Sequence, residues 1–326
     1  MKIFSGIRPS GQIHLGNYLG AIKQWIDLQK ENECVFSIVD LHAITTPYDP
    51  KELKKDILNT AIIYLAAGVD PDKSIIFVQS RVQEHSELAW LFETITPMVK
   101  LNRMTQFKEK SKENKDYINS GLLNYPVLMT ADILLYKADA VPVGKDQEQH
   151  LELTRTIAKK FNQKFGDTFK EPKSLILKEG AKIMSLTDPK RKMSKSDDKK
   201  SYISLFDSPE EITKKIMSAT TDSGKDIKYN ITKKPGISNL LTIYSLLSNQ
   251  TTQEIEKMFV KKSYSEFKKS LAEVVVNYLE PFRRKQKEFS AREIYVEEIL
   301  NQGKNKALVI AQETMQEVKS KMGLSS

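Results

Sequence analysis

Short apolar runs alternate with helical patterns through the first 80 residues. KIFSGI (2–7) is strand-like and leads through Arg8-Pro9-Ser10-Gly11 into a helical segment from Gly16 to about Lys30. CVFSIV (34–39) is continuously apolar rather than alternating, the pattern of a strand buried on both faces. Asp49-Pro50-Lys51-Glu52 opens the next helix, with Asp as N-cap, Pro at the first helical position and Glu three residues past the cap. That helix runs through ILNTAIIYLAA and stops at Gly68, and SIIFVQS (74–80) is the third strand. Strand, helix, strand, helix, strand predicts an α/β fold: a Rossmann-like, doubly wound parallel sheet that places ligands at the C-terminal ends of its strands.

From about residue 205 the strand signals fade. Ser208-Pro209-Glu210-Glu211 is a second capping box, and amphipathic stretches then follow to Met322. The pattern predicts a mixed α/β domain over 1–190 and an all-helical domain over 191–326. The joint is the polar, Lys-rich stretch 187–205.

Charge sharpens this division. The net charge is +9, and residues 187–326 hold 26 Lys and Arg against 19 Asp and Glu, while residues 1–186 hold 25 against 23. The excess therefore sits in the helical half, as expected of a surface that meets a polyanion. Cys34 is the single cysteine, which excludes a disulfide framework or a cysteine-built zinc site and fits a reducing cytoplasm. It is expected as a small buried hydrophobe in its strand. No apolar run approaches the roughly 20 residues that span a bilayer, and no secretory signal pattern is present.

Three blocks carry chemistry. The first, Pro9-Ser10-Gly11-Gln12-Ile13-His14-Leu15-Gly16-Asn17, joins a strand to a helix; its glycines admit close backbone approach, and a helix start offers N–H groups to phosphate. By itself such a turn is better explained as an ordinary tight turn. The second, Lys192-Met193-Ser194-Lys195-Ser196, puts two lysines on a polar loop suited to closing over a triphosphate; chance supplies this pentapeptide in roughly one such chain in ten thousand. The third is YPVLMTADILLY (125–136), expected as a helix with Pro126 in its first turn. Tyr125, Met129, Asp132 and Tyr136 then share one face. A carboxylate among Met and aromatic rings needs a donor, which either a structural group or a ligand's indole N–H could supply. His85 and His150 are expected at the surface or as helix caps, and no two histidines have metal-ligand spacing.

His14-Leu15-Gly16-Asn17 resembles the HIGH signature of class I aminoacyl-tRNA synthetases, and Lys192–Ser196 is similar to their KMSKS signature. The long runs YPVLMTADILLYKADAVPVGKDQEQHLELTRTIAKKF, NRMTQFKEK and KPGISNLL extend the resemblance, over nearly the whole chain, to the bacterial tryptophanyl-tRNA synthetases. The resemblance implies that Asp132 contacts the indole nitrogen and that Phe4, Met129, Val141 and Val143 wall the ring. Tyr125 and Gln147 would hold the amino acid's α-amino and carboxylate end, and His42 would lie near the substrate. It implies ATP contacts at Arg8, Pro9, Ser10, Gly16, Asn17, Gly144, Lys145, Asp146, Ile183, Met193, Ser194 and Ser196. Lys110, Lys192 and Lys195 would sit on its phosphates, and with His14 and Asn17 they would form the catalytic set.

It further implies a homodimer that binds tRNA(Trp) across both subunits, and Mg²⁺ accompanying ATP. The implied reaction joins L-tryptophan to tRNA through an adenylate. Tyrosyl-tRNA synthetase, which shares fold and signatures, and a synthetase-like RNA-binding protein are the alternatives. Two departures stand out: many relatives carry Gln where Arg8 stands and Thr-Ile where His14-Leu15 stand. Some relatives also bind an iron–sulfur cluster through four cysteines, where this chain has one. On charge, Arg283, Arg284, Lys285 and Lys287 are the expected tRNA-facing cluster.

Overall fold

A computed structural model describes residues 1–9, 13–113, 117–144, 147–176, 183–194, 198–224 and 226–324. Its sheet is five-stranded and wholly parallel, with β1 (Lys2–Ile7), β2 (Glu33–Ile38), β3 (Ser74–Val78), β4 (Ala140–Val143) and β5 (Lys173–Ile176). The strands lie in the order β3-β2-β1-β4-β5. Strand order reverses beside β1, so the crevice of a Rossmann-like sheet falls at the C-terminal ends of β1 and its neighbours. β2 is buried along almost its whole length, as its unbroken apolar run requires.

Local signals act where they were expected. Asp49 Oδ1 accepts from the Lys51 and Glu52 amides, and the helix Pro50–Ala67 ends on Gly68 at φ 104°, a left-handed conformation that glycine adopts without strain. The YPVLM helix departs from expectation. It spans Ser120–Leu135 and places Pro126 inside rather than in the first turn. The Asn119 side chain, which accepts from Leu122 N, sets the start at Ser120, five residues before Tyr125.

The chain divides into two compact units, and the division differs from a single cut near residue 190. One unit comprises Met1–Ser10, Trp25–Leu177 and Arg292–Ser326; the other comprises Gly11–Gln24 and Lys178–Ala291. The last helix, Glu293–Met322, thus joins the sheet unit. It packs on β3 and on the helices Pro50–Ala67 and Glu84–Glu93, with ion pairs Arg81–Glu297 (2.9 Å), Lys319–Glu87 (2.8 Å) and Lys137–Glu317 (2.6 Å). Gly303 makes this approach possible, because a Cβ there would lie 1.8 Å from the Ile76 carbonyl oxygen. The core of this unit gathers Phe4, Phe77, Phe92, Val127, Leu134, Phe161 and Ala307 between sheet and helices.

The second unit is helical: Pro209–Ser218, Pro235–Ser248, Thr252–Met258 and Tyr264–Ser290. Ser208 and Glu211 form the expected reciprocal cap. The segment after His14 belongs here as well; Tyr18 meets the rings of Tyr278 (6.4 Å) and Phe282 (6.2 Å) on the long helix. That segment is not one regular helix, since Tyr18–Ile22 widens into a π-helical turn between Leu15–Asn17 and Lys23–Leu28.

Candidate active site

The candidate residues fall into two groups, one on each unit. In the sheet unit, Asp132 lies on the Ser120–Leu135 helix, 1% exposed, and is the hub of a polar network. Its Oδ2 accepts from His42 Nε2 at 2.8 Å; its Oδ1 accepts from Gln79 Nε2 at 2.6 Å and from His85 Nδ1 at 2.6 Å. A carboxylate only accepts, so Nδ1 of His85 carries the proton, and its Nε2 takes the Tyr136 hydroxyl hydrogen at 2.8 Å. Burial alone would raise the Asp132 pKa, but the bonds from His42 and His85 outweigh it and hold the carboxyl at about 2. The group is therefore a fixed negative charge at neutral pH. It already has three donors, so a ligand without an N–H does not strand it.

This network sits where strands end. His42 follows β2 on the short helix Asp40–Ala43, and Gln79 directly follows β3. Gln79 also accepts from Leu41 N, and Asp40 accepts from both Ser80 N and Ser80 Oγ, which ties the two strand ends together. Phe4 stacks on Tyr136 with centroids 5.7 Å apart, and Phe4, Val141 and Val143 are buried in the same apolar cluster, with Met129 packed against it. Tyr125, on the same helix face as Asp132, bonds His150 Nε2 at 2.9 Å, and burial pushes its phenol up to about 12. Arg8 donates to Thr46 Oγ1 at 2.9 Å and to the Ala43 carbonyl at 3.3 Å, and burial lowers its pKa. Pro9 is buried; Gly144 is exposed after β4, and Gln147 begins the helix Glu148–Phe165.

In the second unit, His14 caps the turn Leu15–Asn17. Its Nδ1 accepts from Asn17 N at 3.2 Å, while Asn17 Oδ1 accepts from His14 N at 3.3 Å. The acceptor role of Nδ1 leaves the ring proton on Nε2, a donor for an anion. A Cβ at Gly16 would press on this cap, standing 3.0 Å from the imidazole. Leu15 N donates to Ile203 O, and Leu205 N to Ile13 O, binding the His14 turn to the chain that follows the Lys192 loop. Ile183 and Met193 are buried partners, Met193 N donating to Ile183 O at 3.0 Å, while Lys192 is exposed and Ser194 half-buried. Ser10, Lys145, Asp146, Lys195, Ser196 and the side chain of Lys110 lie outside the described residues.

A family model described as tRNA synthetases class I (W and Y) matches residues 1–280. The chain belongs to that family. A tryptophan–tRNA ligase of Caldanaerobacter subterraneus subsp. tengcongensis is 52% identical over 99% of this chain and 98% of its own. The fold agrees: tryptophanyl-tRNA synthetase from Mycoplasma pneumoniae superposes with a TM-score of 0.89 at 39% identity, covering 100% of this chain and 98% of that one. The Campylobacter jejuni enzyme, complexed with ADP and tryptophan, gives 0.88 at 37%, covering 99% and 100%. The chain therefore groups with the bacterial tryptophanyl members of the class I synthetases.

Three expectations about this synthetase change. His85 and His150 are 0% and 1% exposed, and each bonds a candidate substrate residue instead of capping at the surface. Gln79 was not anticipated at all; its only signal was a polar residue at a strand's C-terminal end. Arg283 is withdrawn from the basic cluster, since its guanidinium donates to Val276 O and Glu280, whereas Arg284, Lys285 and Lys287 are exposed.

Proposed function

We propose that this synthetase is a tryptophan–tRNA ligase that makes tryptophanyl-adenylate and pyrophosphate from L-tryptophan and ATP. It then transfers tryptophan to a terminal ribose hydroxyl of tRNA(Trp). The observation that carries this is the near-complete 52% match to a tryptophan–tRNA ligase, in a chain whose buried Asp132 is held ionised by His42 and His85. An indole N–H is a ring donor that a buried carboxylate recognises.

Activation needs no general base, because the amino acid's carboxylate is already the nucleophile that attacks the α-phosphorus. Rate then comes from alignment and from donors aimed at charge growing on the phosphates. His14 through Nε2, the exposed Lys192, and Lys110 and Lys195 are assigned to the phosphates; Arg8, Pro9, Ser10, Gly16, Asn17, Gly144, Lys145, Asp146, Ile183, Met193, Ser194 and Ser196 are assigned to ATP. Tyr125 and Gln147 are assigned to the α-amino and carboxylate end of tryptophan, His42 to a place near the substrate, and Phe4, Met129, Val141 and Val143 to its ring. Tyr125 remains a neutral phenol at working pH, able to donate and accept.

Among the described residues no three His, Cys, Asp or Glu groups stand together as a metal cage. We assign Mg²⁺ to the ATP phosphates and water, its usual company, with no step routed through it. Among the described residues no helix is long and apolar enough to cross a membrane. A cytoplasmic location rests on the single buried thiol, and a homodimer on the exposed Trp90, Met98 and Val99 of neighbouring helices. Arg284, Lys285 and Lys287 are the proposed tRNA surface. The test is charging of unfractionated tRNA: labelled tryptophan should become acid-precipitable in an ATP-dependent way and labelled tyrosine should not. The reverse outcome contradicts the proposal.

A further inference from the structure

The motif Lys234-Pro235-Gly236-Ile237-Ser238-Asn239 has no assigned part in activation or transfer, yet its side chains reach the root of the Lys192 loop. Pro235 opens the helix Pro235–Ser248. Gly236 lets that helix lie against the Thr220 backbone, where a Cβ would meet the carbonyl oxygen at 2.3 Å. One turn on, Asn239 is 5% exposed, and its amide grips one residue in both directions: Nδ2 donates to Met184 O at 2.9 Å, and Oδ1 accepts from Met184 N at 2.8 Å. Met184 is the antiparallel bridge partner of Lys192. Ser185 N donates to Arg191 O and Met193 N to Ile183 O, so residues 183–193 form a hairpin whose return strand carries Lys192. Thr220 holds the same strand further along, donating from N to Leu186 O and from Oγ1 to Thr187 O.

Asn239 thus stands in for the missing neighbour strand of a hairpin edge, pairing an N–H and a C=O of the half-buried Met184. We propose that Asn239 is a positioning residue for adenylate formation, holding the hairpin so that Lys192 meets the ATP phosphates. This rests on the assignment of Lys192 to ATP. A wholly structural clamp would make the same contacts, but it would not act through Lys192.

A double-mutant cycle separates the two. Asn239→Ala alone should slow tryptophan-dependent pyrophosphate exchange about tenfold in kcat, inside the ~100-fold that an ångström of misplacement can cost, with tryptophan affinity within twofold. Placed on Lys192→Ala, the same change should cost less than about threefold, because the group it positions is already gone. Asn239→Asp, which keeps the acceptor and loses the donor, should behave likewise. Equal slowing in both backgrounds overturns the proposal, as does loss of tryptophan binding in both Asn239 variants, for then Asn239 holds the fold and not the loop. If Lys192→Ala itself leaves exchange unchanged, the assignment of the loop to ATP fails first, and this proposal with it.

Discussion

Replacing Asp132 by Asn keeps its size and removes its charge, and the surrounding network sets the consequences. The carboxyl is held at about 2 against an ordinary 3.8. At about 1.4 kcal/mol per unit, the folded state favours the charge by roughly 2 kcal/mol. Because the folded value is the lower one, this contribution is complete above about pH 4 and is lost as pH falls from there toward 2. The variant should therefore melt a few degrees below wild type at pH 7, with the gap narrowing below pH 4. The fold should survive. An Asn oxygen can keep the Gln79 and His85 donors, and its NH₂ can face His42 with that ring's Nε2 as the acceptor. What disappears is the acceptor offered to the indole, a charge-assisted bond worth about 1.5–3 kcal/mol, or about 10- to 100-fold in kcat/KM. The analogue with sulfur in place of the ring nitrogen supplies the control. Wild type should prefer tryptophan by the same 10- to 100-fold, not the roughly 10⁴–10⁵ of a site left with unpaired polar groups, because three donors remain on Asp132. In Asp132→Asn the preference should collapse toward unity, measured as kcat/KM for both ligands in pyrophosphate exchange. A variant that keeps the wild-type ratio refutes the role of Asp132. A wild-type ratio near 10⁴ refutes the compensation by its three partners.

Three further outcomes are expected. Lys192→Ala should lower kcat for exchange about 100-fold, the loss of roughly 3 kcal/mol typical of one donor to developing charge, with tryptophan affinity unchanged; a rate within threefold of wild type would remove Lys192 from the mechanism. Combined Ala substitution of Arg284, Lys285 and Lys287 should weaken tRNA binding and flatten log K against log salt by a little under ~1 per lost phosphate contact, leaving exchange intact; an unchanged slope makes the cluster an ordinary solvated face. Gly303→Ala should lower the melting temperature by several degrees, because its Cβ would overlap the Ile76 carbonyl of β3, and an unaltered melting temperature would contradict the packing of the last helix.

Much of the fold was legible in the sequence. Strands β1 to β3 and the Asp49 and Ser208 caps depend on short-range pattern, and short-range pattern survives folding. Helical spacing placed Asp132 and Tyr125 on one face, as the Ser120–Leu135 helix does. Their partners were not legible, because His85 and His150 carry no periodic or motif signal, and the bonds of His85 and Gln79 to Asp132 span 47 and 53 residues. Pro126 suggested a helix start because Pro favours the first turn, yet the Asn119 cap upstream was the stronger signal. The last helix looked like part of a helical domain because its sequence says only that it is amphipathic. Its return to the sheet depends on Gly303 meeting Ile76, a fit invisible without the strand opposite.

That this class I synthetase activates tryptophan is tested most directly by ATP–pyrophosphate exchange. The full chain is assayed with tryptophan and tyrosine supplied separately and no tRNA present. Exchange that depends on tryptophan, with tyrosine at background, is the predicted result. Exchange driven by tyrosine, or by neither amino acid, would contradict it.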